Sequence, residues 1–88
     1  MYLTYKFETT GVDKDACFCE LARCLNLLNS FLLSEYKGKG SLNATTINLD
    51  WKAETDLHAY IIFQSESFTC TAEFNDFMER FEIFRKEV

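Results

Sequence analysis

The segment from Asp56 to Glu66, DLHAYIIFQSE, constrains the fold of this chain more than any other stretch. Its middle is continuously apolar and rich in the β-branched and aromatic residues that suit a pleated strand. Alternate side chains of a strand face opposite sides, and both rows are largely apolar here: Leu57, Ala59, Ile61 and Phe63 on one side, His58, Tyr60, Ile62 and Gln64 on the other. Such a strand suits a position with a neighbour on each side. We therefore predict that this segment is the central strand of a sheet.

Hydrophobic periodicity predicts two further strands. Residues Tyr2 to Glu8 alternate, with Leu3, Tyr5 and Phe7 on one side, which is typical of a half-buried strand. Residues Ser41 to Ala53 alternate in the same way. The side chains expected to face inward on this second strand are Thr45, Ile47, Leu49 and Trp51.

Helical spacing of apolar residues predicts two helices. The first runs from about Lys14 to Tyr36, with Asp13 as its N-cap. Its apolar arc comprises Cys17, Phe18, Leu21, Cys24, Leu25, Leu28, Phe31 and Leu32. The second runs from about Ala72 to Lys86, with Thr71 as its cap and an apolar face of phenylalanines and Met78. Ile83 falls on the opposite, charged side of this helix.

The predicted element order is β-α-β-β-α. The short polar connection from Lys52 to Asp56 predicts an antiparallel hairpin between the second and third strands. A right-handed crossover then gives a three-stranded antiparallel sheet of order 1-3-2, with both helices on one face. This α+β two-layer sandwich resembles a ferredoxin-like fold that lacks its last strand, a similarity of architecture that implies no function. The length of 88 residues suits a single domain spanning 1–88.

Charge and composition narrow the classes of function. Fourteen acidic against nine basic residues give a net charge of −5, which argues against direct nucleic-acid binding and favours a partner protein with a basic surface. The N-terminus alternates and does not resemble a leader peptide, and we expect no apolar run of membrane-spanning length. We therefore expect a cytoplasmic protein with no membrane partner and with free cysteine thiols.

No catalytic or metal-binding signature is present in the sequence. The four cysteines lack metal-ligand spacing, and Cys17 and Cys24 fall on the core arc of the first helix. His58 is the only histidine, and no sequence signature places a thiol beside it, so we expect an exposed structural histidine. The sequence therefore predicts a protein that is not an enzyme, with no cofactor and no metal.

The predicted topology gathers six carboxylates at one end of the sandwich, which we name the acidic pole: Glu8, Asp13, Asp15, Asp50, Glu54 and Asp56. These are either ordinary turn and cap carboxylates or a surface that meets a basic cleft on another protein. A second candidate surface is the sheet face that carries no helices, here called the open face, where Tyr2, Tyr60 and Ile62 are large for a solvated surface. The first strand is also a free edge, which invites dimerisation or strand addition.

The leading hypothesis is a small, acidic, non-enzymatic protein that binds and inhibits or neutralises another protein, for example by occupying a basic nucleic-acid-binding surface. Phage anti-defence or host-takeover proteins, antitoxins and immunity proteins are of this kind. The candidate protein-binding residues are Asp13, Asp15, Asp50, Glu54, Asp56, Tyr2, Tyr60, Ile62 and Ile83. The alternative is a structural or adaptor subunit that self-associates, as a homodimer, through the first-strand edge or the open face.

Overall fold

The computed structural model describes residues 2–35, 46–64, 68 and 70–87 of the chain. The predicted element order is confirmed. The elements are β1 (Tyr2–Thr10), α1 (Lys14–Glu35), β2 (Thr46–Ala53), β3 (Asp56–Gln64) and α2 (Thr71–Glu87). The predicted start of the second strand at Ser41 and the predicted end of the first helix at Tyr36 lie outside the described residues.

The strands form one antiparallel sheet in the predicted order β1-β3-β2. β3 pairs with β1 from Tyr2 opposite Gln64 to Thr10 opposite Asp56. On its other side it pairs with β2 from Thr46 opposite Ile62, and the register shifts between Trp51 and Ala53, next to the two-residue turn. β3, the most apolar strand, therefore lies in the centre of the sheet, where both of its edges are paired.

The core lies between the sheet and the two helices. The sheet contributes Leu3, Tyr5 and Phe7 from β1 and Leu57, Ala59 and Ile61 from β3, and the three β3 residues are fully buried. The helices contribute Cys17, Leu21, Cys24, Leu28, Phe31 and Leu32 from α1 and Phe74, Phe77 and Phe81 from α2. The ring centroid of Phe31 lies 5.4 Å from that of Phe77 and 5.7 Å from that of Phe81. Full burial of each leucine or phenylalanine among them contributes about 1.5–3 kcal/mol to folding.

The helices cover the sheet unevenly. α1 packs on β1 and β3, and α2 packs on β1 and α1, whereas the backbone of β2 lies close to β3 alone among the described elements. Ile47 and Leu49 are therefore 38% and 43% exposed, so the prediction that they face a covered core was wrong. From β2, Trp51 reaches the helix layer, where Phe18 and Lys14 of α1 contact its ring. Phe18, expected on the buried arc of α1, is also 43% exposed and meets the ring of Trp51 edge-on at 5.5 Å.

The two helix starts show how well local signals locate a boundary. The Asp13 carboxylate accepts a hydrogen bond from the Ala16 N–H at 2.8 Å, which confirms the predicted N-cap of α1. The predicted cap of α2 was wrong by one residue: the Phe74 N–H donates to the carbonyl of Cys70, so Thr71 already belongs to the helix. Side-chain type alone fixes a helix end only to within one or two residues.

Gly11 joins β1 to α1 where the two elements approach closely. A Cβ atom at this position would lie 2.9 Å from Cβ of Ala16 and 3.2 Å from the backbone nitrogen of Cys17. The backbone N–H of Gly11 donates to the Thr55 carbonyl at 3.1 Å. The absence of a side chain therefore lets the first turn of α1 lie against both β1 and the β2–β3 turn.

By length and composition alone, the α1 segment Lys14–Ser34 could cross a membrane, with a mean hydropathy of 1.3, contrary to the expectation that no segment would qualify. The core helix of a folded domain meets the same criterion. In this fold the cysteine and leucine face of α1 packs on the sheet.

Candidate functional site

The six carboxylates of the acidic pole lie on two different surfaces. Asp13, Asp15 and Glu54 belong to the start of α1 and to the β2–β3 turn, where they line one cleft. The remaining three are even-numbered strand residues on the open face: Glu8, Asp50 and Asp56. The structure thus divides the predicted cluster of six into two groups of three.

The cleft between α1 and the β2–β3 turn, here called the pole cleft, has a volume of about 450 Å³. Two contacts to the Thr55 carbonyl hold its walls together, the N–H of Gly11 at 3.1 Å and the Cys17 thiol at 3.7 Å. The cleft is lined by Val12, Asp13, Lys14, Asp15, Glu54 and Thr55. Its shape is therefore held by one backbone and one side-chain contact to the turn, from Gly11 after β1 and from Cys17 in α1.

The charges of the pole cleft are only partly balanced. Asp13 is engaged as the N-cap of α1. The ammonium group of Lys14 lies 5.3 Å from the ring centroid of Trp51, in a cation–π contact. Asp15 and Glu54 are exposed and form no ion pair within the described ranges. Val12, beside them, is 90% exposed. The cleft therefore presents two free carboxylates next to an apolar side chain.

Two of the three open-face carboxylates are matched by neighbouring lysines. Lys6 lies 2.8 Å from the Glu8 carboxylate and Lys52 lies 2.6 Å from that of Asp50. The hydrogen bond from each lysine holds the pKa of its carboxyl below the usual range. Because both pairs are solvent-exposed they add little stability, but they reduce the net charge that the open face presents.

His58 lies between the open-face carboxylates. Its Nε2 is 3.5 Å from Oδ1 of Asp56 and its Nδ1 is 3.8 Å from Oε1 of Glu8. The Nδ1 atom is buried and makes no hydrogen bond with the described residues. The side chain is 18% exposed, so the expectation of an exposed structural histidine was wrong. The two flanking strands cover the ring, because His58 is opposite both Glu8 and Asp50.

The predicted aromatic and aliphatic residues of the open face are less prominent than expected. Tyr60 and Ile62 are half-buried, and only Tyr2, at 71%, is strongly exposed. Lys6 covers Tyr60, with its ammonium group 5.9 Å from the ring centroid. Ile83 is 59% exposed on α2, in the other layer of the sandwich. The predicted site residues therefore occupy three surfaces: the pole cleft, the open face and α2.

Sequence reasoning missed a groove beside β1, here called the β1–α2 groove. It has a volume of about 520 Å³ and is lined by Tyr5, Met78, Glu79, Glu82 and Ile83. The Tyr5 hydroxyl donates to Glu82 at 2.6 Å and accepts from Arg85 at 2.8 Å. Burial and the hydrogen bond to Glu82 raise the pKa of Tyr5. The one sign of this groove in the sequence was Ile83, an apolar residue on the charged face of the second helix.

Cysteine thiols and metal-ligating side chains are the remaining candidates for a reactive or metal-binding site. No three histidine, cysteine, aspartate or glutamate residues in the described part lie close enough to hold a metal ion. The cysteines are free, as predicted, with Cys17 and Cys24 buried and Cys19 and Cys70 exposed. No protein-family model, curated protein or solved structure matches the chain. Function is therefore inferred from the surfaces.

Proposed function

We propose that this protein binds another protein through the pole cleft and thereby inhibits or neutralises it. The observation that carries the proposal is the pair of unpaired carboxylates, Asp15 and Glu54, beside the almost fully exposed Val12. Exposed charges of one sign speed association with a partner of opposite charge. An apolar side chain at the same place supplies contact area that is desolvated after the encounter.

The partner that fits this cleft has a basic surface with an apolar recess. Nucleic-acid-binding proteins carry clustered lysine and arginine, so a net charge of −5 suits an inhibitor that covers such a cluster. A cytoplasmic protein of the anti-defence, antitoxin or immunity type would act in this way. The association is expected to be fast and to weaken as salt rises.

The test is an affinity pull-down from a lysate of the host cell at low and at high salt, with retained proteins identified by mass spectrometry. We expect one basic protein that is retained at low salt and released at high salt. The double variant Asp15→Lys/Glu54→Lys should lose this protein, because it reverses both free carboxylates of the cleft. The control variant Asp76→Lys/Glu87→Lys changes the net charge equally but on exposed positions of α2, and should retain it.

Retention of the partner by the pole variant at the native level would remove the cleft from the proposal. Recovery of the bait alone would favour the alternative of a self-associating subunit. That alternative is supported by one observation: β1 pairs only with β3 among the described strands, so one of its edges is free. A mass that rises with concentration in the absence of any partner would establish self-association.

A further inference from the structure

The outer edge of β1 offers backbone hydrogen-bonding groups to an added strand. The Gly11–Thr55 bond continues the β1–β3 register by one residue, so the odd-numbered residues of β1 are those that exchange hydrogen bonds with β3. The even-numbered residues direct their N–H and C=O groups to the free edge: Tyr2, Thr4, Lys6, Glu8 and Thr10. A strand laid along this edge would find a regular row of donors and acceptors.

The β1–α2 groove lies on the helix side of the same edge. Tyr5 faces the helix layer, and the backbone of α2 approaches β1 more closely than β3, so α2 lies towards the β1 side of the sheet. Glu79 and Ile83 lie on the side of α2 away from the buried Phe77 and Phe81. An added strand would therefore place every second side chain in the groove, against Tyr5, Met78 and Ile83.

The groove's lining indicates the chemistry of that strand. Its floor is mainly apolar, which favours apolar residues at alternate positions. The Glu82 carboxylate already accepts hydrogen bonds from Tyr5 and Arg85. Glu79 is exposed and has no ion pair among the residues that the structure describes. A lysine or arginine near the apolar positions would complement it.

A second copy of this chain fits the groove less well than a single strand. Antiparallel pairing of two β1 edges brings the α2 helix of each copy towards the same seam, since α2 lies towards the β1 side of the sheet. The groove of each copy would then face a helix that carries the same carboxylates, Glu79 and Glu82. An extended segment without a covering helix avoids this repulsion.

We propose that the β1–α2 groove captures an extended segment of the partner protein as a fourth strand on β1, with alternating apolar residues and a lysine or arginine that meets Glu79. This inference rests on the proposed function for the existence of a partner. It concerns a different surface from the pole cleft, so the two can fail separately. Strand addition of this kind gives affinity through the backbone and specificity through the side-chain pockets.

The test uses NMR spectra of the full chain, labelled with ¹⁵N and on methyl groups, during titration with a short capped peptide in which valine alternates with lysine and threonine. We expect shifts at the amides of Thr4, Lys6 and Glu8 and at the methyl groups of Met78 and Ile83. The methyl groups of Ile47 and Leu49, on β2 at the opposite side of the described sheet, should not move and serve as an internal control.

Two variants separate the backbone and side-chain parts of the site. Thr4→Pro removes an outward N–H while leaving the β1–β3 hydrogen bonds, and should weaken peptide binding about tenfold. Ile83→Asp changes an exposed side chain, so folding is preserved, and should also weaken binding about tenfold. The pole variant Asp15→Lys/Glu54→Lys should bind the peptide like the native protein.

Several results would overturn the inference. One is the absence of shifts along β1, or peptide binding that is unchanged in both Thr4→Pro and Ile83→Asp. Another is concentration-dependent shifts of the same amides without peptide, which would assign the edge to a second copy. Capture of the lysate protein that is lost in the pole variant but unchanged in Thr4→Pro and Ile83→Asp would overturn strand capture and leave the proposed function standing.

Discussion

At the scale of single residues, Tyr5 connects the sheet to α2. It is 7% exposed, and its ring meets Phe81 edge-on with centroids 5.7 Å apart. Its hydroxyl donates to Glu82 and accepts from Arg85, so the phenol is fully engaged at the margin of the core. Burial, with the Glu82 hydrogen bond, raises its pKa, and the group keeps its proton where an exposed tyrosine ionises.

We predict that Tyr5→Phe lowers the free energy of unfolding by about 1–2 kcal/mol near neutral pH, because Glu82 and Arg85 lose a buried partner. In the native protein the unfolded chain releases the Tyr5 proton above about pH 10 while the folded chain retains it, so stability falls as pH rises. Tyr5→Phe lacks this loss. The difference in the free energy of unfolding between the variant and the native protein should therefore narrow above about pH 10.

Urea unfolding near neutral pH and above about pH 10 measures both effects. The control is Tyr2→Phe, since Tyr2 is 71% exposed and should change stability little at either pH. A stability difference for Tyr5→Phe that stays constant into the alkaline range would contradict the retained proton.

At the scale of elements, two aspartates at the start of α1 have different roles. Asp13 caps the helix through the Ala16 N–H at 2.8 Å. Asp15 lies in the first turn, where it gains only from the helix dipole. Asp15 is therefore free to serve a binding partner, whereas Asp13 serves the fold.

We predict that Asp13→Ala costs about 1 kcal/mol in the free energy of unfolding, and that Asp15→Ala costs only a few tenths. Chemical denaturation of the two variants beside the native protein measures both values. The substitutions remove the same charge two positions apart, so each controls for the other. Equal losses would show that the hydrogen bond to Ala16 adds nothing beyond charge.

The elements and their order could be predicted because each has a clear local signal. The two apolar rows of Asp56–Gln64 predict a central strand, and the short connection after Ala53 predicts a hairpin. Exposure of Ile47 and Leu49 could not be predicted, because alternation shows which side of a strand is apolar but not whether a helix covers it. That depends on where both helices pack, which is decided by the whole core.

At the scale of the whole molecule, the helix layer is displaced towards β1. Leu57 and Leu49 face the same side of the sheet, yet Leu57 is fully buried and Leu49 is 43% exposed. The difference follows from the placement of α1 and α2 over β1 and β3. Two leucines of the same sheet face therefore contribute unequally to stability.

We predict that Leu57→Ala lowers the free energy of unfolding by about 2–5 kcal/mol, through lost burial and the cavity left behind. Leu49→Ala should cost less than about 1 kcal/mol, because its side chain already meets solvent. Urea denaturation of the pair gives the comparison with a matched chemical change. A similar loss in both variants would contradict the displaced helix layer.

The candidate site was predictable only in part for a related reason. The predicted topology brings six acidic residues to one end of the molecule. Because side chains alternate along a strand, Asp50 and Asp56 lie on the open face, whereas Asp15 and Glu54 lie beside the start of α1. The lysines that match Asp50 and Glu8 lie two positions away on the same strand face, a spacing visible in the sequence. The β1–α2 groove depends on where α2 packs relative to β1. The sequence pattern of neither element determines that position.

The strand order also sets the sequence in which the chain can assemble. β2 and β3 are joined by a two-residue turn and can pair as a local hairpin, whereas Tyr2 must find Gln64 across the intervening helix and strand. Closing so long a loop is slow compared with hairpin formation. On the ribosome, β1 emerges before β3, the strand with which it pairs. Until β3 has been made, both edges of β1 stay unpaired, and unpaired strand edges make a nascent chain prone to aggregation.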